Sequence, residues 1–207
     1  IRYAADNGAK IINISLGGEG ASPTEESALQ YALNKGVFIA IAGGNAKQDG
    51  NPTQYPAFYA STLNGVMAVG ATNRTGKRAS YSSTGLYVEI AAPGGDPADS
   101  DASGSGYVWQ STLRPSVSDP TLVLFPRFDA YAEVGYAGTS MASPHVAGVA
   151  ALLYSEGITN PAAIEQAIKK TAKFLGTPSA NDPTRNDDFG AGLIQARTAL
   201  FGLGLRK

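Results

Sequence analysis

The chain has 207 residues, enough for one domain with a sizeable buried core. Its residues are 43% hydrophobic and only 16% charged, with 25 glycines, which fits a compact α/β protein with tight turns and excludes a disordered chain or a coiled coil. A net charge of −1 gives no electrostatic case for nucleic acid or an anionic membrane surface, and the lack of cysteine excludes disulfides, thiolate metal sites and thiol catalysis.

The first residues read as the last turns of an amphipathic helix closed by Gly8. A domain seldom opens inside a helix, so a preceding segment is expected. Residues 10–16 (KIINISL) form a short β-branched run and predict a buried strand. Ser22-Pro23-Thr24-Glu25 is a helix start, with Ser22 as N-cap, Pro23 at the first helical position and Glu25 completing a capping box. That helix runs to about residue 35 with Ala28, Leu29, Ala32 and Leu33 on one face, and Gly36 stops it. Residues 37–42 (VFIAIA) are the next buried strand. Strand, helix and strand with short links make a parallel βαβ unit.

A long loop at 43–65 is followed by strands at 66–71 and 87–92. Residues 94–106 are rich in Asp, Ser and Gly and predict a loop, and 109–136 predict an irregular stretch with β character. An apolar, Ala-rich helix starts at Ser140 and runs to about 156. Its Pro144 cannot donate to the carbonyl of Ser140, so its first turn must be irregular. Asn160-Pro161 caps a helix to about 171, and 192–200 close with a short helix. Residues 203–207 read as a tail or the start of a linker. No apolar run approaches membrane-spanning length.

The residues that carry chemistry lie in three loops. Residues 138–148 (GTSMASPHVAG) place the Ser140 hydroxyl after a glycine at the mouth of a helix. The first backbone N–H groups there have no helical partner, and the helix dipole favours negative charge. A serine so placed can attack a carbonyl while those groups receive the oxyanion. Taken alone, Ser140 could equally be a plain helix cap. Two further loops leave the carboxyl ends of predicted parallel strands, where sites form in such sheets. They are Ser15-Leu16-Gly17-Gly18 and Ala42-Gly43-Gly44-Asn45. Their glycines let another backbone approach closely, and neither loop fits a dinucleotide fingerprint.

Together these segments closely resemble the subtilisin-like serine proteases. GTSMASPHVAG is similar to the family's nucleophile motif, IINISLGG to its substrate-pairing segment and IAGGN to its oxyanion segment. The order YPA, VMAVGA, AAPG and GAGLI also follows the family, so the likeness spans nearly the whole chain. It implies a three-layer α/β fold, a parallel sheet with helices on both faces, of which the N-terminal strands are absent here. Residues 1–202 would be the C-terminal portion of the peptidase domain.

By the same resemblance Ser140 is the nucleophile of a serine endopeptidase and Asn45 an oxyanion donor, although an Asn after two glycines also caps turns. Ser15, Leu16 and Gly17 would hold a polypeptide substrate as an added strand, with Gly18 beside them. Ala42, Gly43 and Gly44 would wall the pocket for the side chain before the scissile bond. Ala46 stands where an acidic residue is frequent, and Gln54 where the pocket base varies. No cofactor is implied, and no metal-ligand set stands out. Calcium as a structural ion and secretion follow from the family alone.

The chain holds one histidine, His145. It lies five residues past Ser140 on the same helix, about 140° around the axis, so the sequence assigns it no catalytic role. The general base and its Asp partner are therefore expected from a preceding N-terminal segment. Without that segment, residues 10–16 should form an uncovered sheet edge, and the chain alone should be inactive. The second reading is a non-catalytic module that binds extended peptides. A sedolisin-type peptidase fits less well, since it carries Asp in place of Asn45. Asp96, Asp99 and Asp101 predict either a solvated surface insertion, a wall of the cleft or a calcium loop.

Overall fold

The computed structural model describes residues 1–115, 126–202 and 204. Residues 116–125 of the 94–136 stretch, and 203 and 205–207 of the C-terminal tail, lie outside the described residues. Four parallel strands form one sheet in the order β1 (Ile11–Ile14), β2 (Phe38–Ala42), β3 (Val66–Thr72) and β4 (Val88–Pro93).

Strand periodicity sorts the core into two layers. Phe38, Ala40, Met67, Val69, Ile90 and Ala92 point to one face, where they meet α3 (Thr139–Ser155), α4 (Pro161–Thr171) and α5 (Ala196–Phe201). Ile14, Ile39, Ile41, Val66, Ala68 and Val88 point to the other, where they meet α1 (Arg2–Asp6), α2 (Pro23–Asn34) and a 3₁₀ turn at Ala57–Ser61. Helices thus cover both faces, as the sequence implies. Every residue of β2 and β3 is buried, as expected of parallel strands enclosed on both sides.

The two edges of the sheet differ. Beyond β4 the chain returns beside Glu89 and Ala91, and Ala191 and Ile194 donate to their carbonyls at 2.9 Å. Beyond β1, no strand pairs among the described residues, and Asn13 on that strand is exposed. This is the open edge that the sequence predicts.

Local signals hold with one change. Ser22 Oγ accepts from the N–H of Glu25 at 3.3 Å, but the reciprocal arm of the capping box is not made by Glu25. The hydroxyl of buried Tyr59 accepts the Ser22 N–H at 2.8 Å and donates to its carbonyl at 2.9 Å. The stretch expected to be irregular is an antiparallel ribbon of β5 (Val108–Pro115) and β6 (Pro126–Tyr136). Its periodicity is hard to read because apolar and polar residues mix on both faces of a two-stranded ribbon.

Candidate functional site

Gly138 caps α3, and its N–H donates to the carbonyl of Gly94 at 2.9 Å. Tyr81 holds that carbonyl from the other side at 3.0 Å and bonds Gly95 at 2.6 Å. Burial pushes the Tyr81 phenol up, so it stays a donor. Ser140 is therefore presented at the second helical position by a loop fixed on both flanks. Among the described residues its N–H has no acceptor, as the first turn of a helix leads one to expect.

Asn45 follows β2 and reaches the same helix start. Its Oδ1 accepts the backbone N–H of Thr139 at 3.0 Å and the Thr139 hydroxyl at 2.9 Å. Thr139 Oγ1 in turn accepts the N–H of Gly44 at 3.1 Å. A backbone N–H can only donate, which fixes Oδ1 on that side and leaves Nδ2 as a donor on the other. Nδ2 has no partner among the described residues. A methyl group placed on Gly138 would lie 3.4 Å from Asn45 Nδ2 and 3.6 Å from Ser140 N. Two donors without a partner among the described residues thus border one small space beside Ser140.

The segment after β1 forms the opposite rim. Gly18 pairs with Tyr55 in both directions, at 2.9 and 2.7 Å. The N–H and C=O groups of Leu16 and Gly17 have no partner among the described residues, and the Leu16 side chain is 61% exposed. An extended peptide could add to this segment. Behind it, Ala42 and Gly43 are buried. Gly43 donates to Val69 at 2.8 Å and its carbonyl accepts Tyr87 Oη at 3.1 Å. Gly44 has φ +107°, and a Cβ there would run into Cγ of buried Gln54. Only glycine fits at that point. The structure thus brings Ser15, Leu16, Gly17, Gly18, Ala42, Gly43, Gly44, Asn45 and Ser140 together at the carboxyl ends of β1 and β2.

His145 Nδ1 lies 2.8 Å from the carbonyl of Met141, one helical turn back. Ser140 Oγ donates elsewhere, to the carbonyl of Ser15 at 3.3 Å. His145 and Ser140 do border the same shallow depression of about 250 Å³, with Val108, Gln110, Met141 and Pro144. No hydrogen bond joins them. A larger cavity of about 890 Å³ lies beside Glu89, Glu165, Lys169 and Arg185 and shares no residue with the site. Lys169 there contacts Glu89 and Glu165 at 2.5 and 2.6 Å.

The acidic loop is solvated at Asp101 and half-buried at Asp99, as the insertion reading expects, but Asp96 at its root is buried. Asp96 is 4% exposed and accepts from Ser80 N at 2.6 Å, Ser80 Oγ at 3.1 Å and Ala98 N at 3.0 Å. Asp99 accepts from Asn73. Asp101 accepts from Ser103, whose hydroxyl holds this carboxyl well below the usual range. Both oxygens of Asp96, and one oxygen each of Asp99 and Asp101, are thus engaged by N–H or O–H donors. Among the described residues no group of three His, Cys, Asp or Glu side chains is placed to hold a metal ion.

Sequence reasoning passed over Thr139, Asn13, Ser143, Val108 and Gln110. A polar Asn13 inside an otherwise apolar strand was the available signal for one of them.

The subtilase family model matches residues 1–192. A thermophilic serine proteinase of Bacillus sp. strain AK1 is 41% identical over 86% of this chain and 36% of its own length. Thermitase of Thermoactinomyces vulgaris is 38% identical over 86% of this chain and 52% of its own. The chain therefore spans about half, or less, of these curated relatives. Among solved structures, a protease from Pseudoalteromonas arctica superposes with a TM-score of 0.73 at 32% identity, covering 97% of this chain and 52% of that one. Fervidolysin from Fervidobacterium pennivorans, a keratinolytic enzyme related to subtilisin, gives 0.71 at 29% identity, covering 96% of this chain and 27% of that one. With its parallel α/β fold and its serine at the head of α3, the chain belongs to the subtilase family.

Proposed function

We propose that residues 1–202 are the C-terminal portion of a subtilisin-type serine endopeptidase, in which Ser140 attacks the scissile carbonyl of a polypeptide. The observation that carries this is the space beside Gly138, bordered by the free Asn45 Nδ2 and the free Ser140 N–H. There the two donors receive the oxyanion of the tetrahedral intermediate. Ser15, Leu16 and Gly17 pair with the substrate backbone, and Ala42, Gly43 and Gly44 wall the pocket for the preceding side chain. Val108 and Gln110 flank the side that takes the residues leaving with the amine. The acyl-enzyme on Ser140 is then hydrolysed by water.

The general base belongs to a segment outside residues 1–207. Support comes from the single histidine, whose Nδ1 is bonded to Met141 and which makes no bond to Ser140. A His and its Asp partner supplied by a preceding part of the same protease would complete the triad, most directly by packing along the open edge of β1. The chemistry needs no cofactor. Secretion belongs to the same proposal on family grounds. Among the described residues no helix is long and apolar enough to cross a membrane.

Labelling by a fluorophosphonate tests the reading. The expected result is labelling of Ser140 when the His-bearing segment is present, its loss in Ser140→Ala, and almost none for residues 1–207 alone. Loss of the base costs on the order of 10⁶-fold in kcat, a figure taken over from a subtilisin. Appreciable hydrolysis by the isolated chain, abolished by Ser140→Ala, would overturn the external base. No labelling even of the complete enzyme would favour a module that binds extended peptides through Leu16 and Gly17.

A further inference from the structure

Pro144 has no N–H. In a regular helix that group would donate to the carbonyl of Ser140, four residues back. Here the carbonyl accepts the hydroxyl of Ser15 at 2.8 Å, from a residue 125 positions away in sequence. A hydroxyl carries one proton, so Ser15 Oγ can only accept from any other partner. Its other partner is Asn13 Nδ2 at 2.9 Å, and Asn13 Oδ1 accepts the Ser143 hydroxyl at 2.7 Å. The missing proton donor at Pro144 thus dictates every direction in the chain. Ser15 must donate to Ser140, Asn13 must turn its amide nitrogen to Ser15, and Ser143 must donate to the remaining amide oxygen.

Ser143 lies on α3, three residues past Ser140, and is fully buried. The chain of bonds therefore leaves the helix at the Ser140 carbonyl, crosses to the edge strand and returns to the helix one turn later. On the other side of Ser140, the N–H of Thr139 is held by Asn45. The residue that bears the hydroxyl is pinned from both flanks.

We infer that Asn13 and Ser143 are positioning residues for the nucleophile. They act through Ser15 to fix the peptide that follows Ser140, and with it the direction of Ser140 Oγ. This rests on the reading of Ser140 as the nucleophile. Neither residue belongs to the segments proposed to pair with the substrate. Their effect belongs on kcat, because rotation about the Ser140 backbone misplaces the attacking oxygen, whereas Ser15 offers the substrate its backbone and not the hydroxyl that this chain of bonds turns.

Asn13→Asp in the complete enzyme is the sharpest test. The carboxylate keeps the size of the amide and still accepts from Ser143. It has no proton to give, and it draws the Ser15 proton away from the Ser140 carbonyl. The expected result is a fall in kcat, and in the rate of fluorophosphonate labelling, of about 2- to 10-fold, the loss of one net hydrogen bond. KM should stay unchanged. Asn13→Asp combined with Ser15→Ala should be no slower than Ser15→Ala alone, since both act through one proton. Ser143→Ala is the second variant, for the case that Asn13→Asp does not fold. It should lower kcat less and be silent on the Ser15→Ala background.

Losses that multiply, or a lower melting temperature with kcat unchanged, would overturn the positioning role. Wild-type enzyme that labels, with variants that label equally fast, overturns positioning alone. Wild-type enzyme that does not label overturns the nucleophile reading, and positioning with it.

Discussion

The side-chain oxygen of Asn45 accepts both the backbone N–H and the hydroxyl of Thr139. The threonine hydroxyl also anchors Gly44, so it stitches the end of β2 to the head of α3. The amide nitrogen of Asn45 owes its orientation to that stitch. Removing the amide with Asn45→Ala should lower kcat of the complete enzyme by about 10²- to 10³-fold, the general cost of one oxyanion donor. Thr139→Val keeps the backbone bond and loses the hydroxyl, so a milder loss of about 2- to 10-fold is expected. KM should move little in either. Steady-state kinetics on a peptide substrate decide it, and an Asn45→Ala enzyme as fast as wild type would remove Asn45 from the oxyanion site.

Gly44 offers an independent check on the same loop. Its φ of +107° and the nearness of Gln54 Cγ leave no room for a side chain. Gly44→Ala should displace Asn45 and lower kcat, while Gly50, which has φ +87° but open space around it, should tolerate Ala with only a backbone cost. Equal kinetic effects at the two positions would show that backbone conformation alone, and not contact with Gln54, sets the site.

How much of this was legible in the sequence follows from distance along the chain. The βαβ unit, the helix N-cap at Ser22 and the two glycine loops are local patterns, and each is found where the residues put it. Ser140 and Asn45 sit 95 residues apart, and the sequence assigns their roles only through the resemblance of their segments to the subtilases. That they meet in the fold follows because each is a strand or helix terminus and parallel sheets gather such termini at one end. The Ser15 hydroxyl was not readable as a partner for the Ser140 carbonyl. Pro144 announces an orphaned carbonyl, but nothing local says which donor meets it. Tyr59 in place of Glu25 at the head of α2 is the same kind of miss. The capping box is a local rule, and a buried tyrosine from 37 residues away outcompeted it. Asp96 read as solvent-facing because Asp, Ser and Gly clusters usually are, whereas it is the buried acceptor around which its loop is folded.

Tyr59→Phe should lower stability without altering the catalytic loops. The phenol is 6% exposed, and it satisfies both the N–H and the carbonyl of Ser22. Loss of the hydroxyl leaves the N-cap N–H without its protein partner, which costs about 1–3 kcal/mol if water cannot enter. A urea unfolding series on wild type and variant measures this directly. An unchanged midpoint would mean that solvent replaces the phenol.

The pair formed by Glu89 and Lys169 gives stability a pH dependence. Burial, and then repulsion from Glu165, pushes the Glu89 carboxyl up from 4.5 to about 8, against the pull of Lys169. Between those values the folded chain holds a proton that the unfolded chain has released. Stability should therefore be full below the lower value and should decline as pH rises toward the upper one. At high pH the ionised group keeps Oε2 without a partner. Glu89→Gln stays neutral throughout and should flatten the slope. Denaturant midpoints at about pH 5 and about pH 9 for both proteins test the sign, and parallel curves would remove Glu89 as its source.

The β5–β6 ribbon should set preference on the leaving side of the scissile bond. Val108 and Gln110 alternate with Trp109, so both turn toward the depression they share with Ser140 and Met141, while Trp109 bonds Gly104 on the opposite face. A residue entering that depression would meet the Val108 methyls beside the attacked carbonyl. Val108→Ala removes two of them, and the space gained should favour larger side chains just after the scissile bond. One methylene of fit is worth about 10-fold or more in relative kcat/KM. The comparison is a set of peptides varied only at that residue, cleaved by wild type and by Val108→Ala. A shift toward Leu or Phe over Ala at that position assigns the ribbon to specificity, and unchanged ratios with normal overall activity would make it a bystander to the cleft.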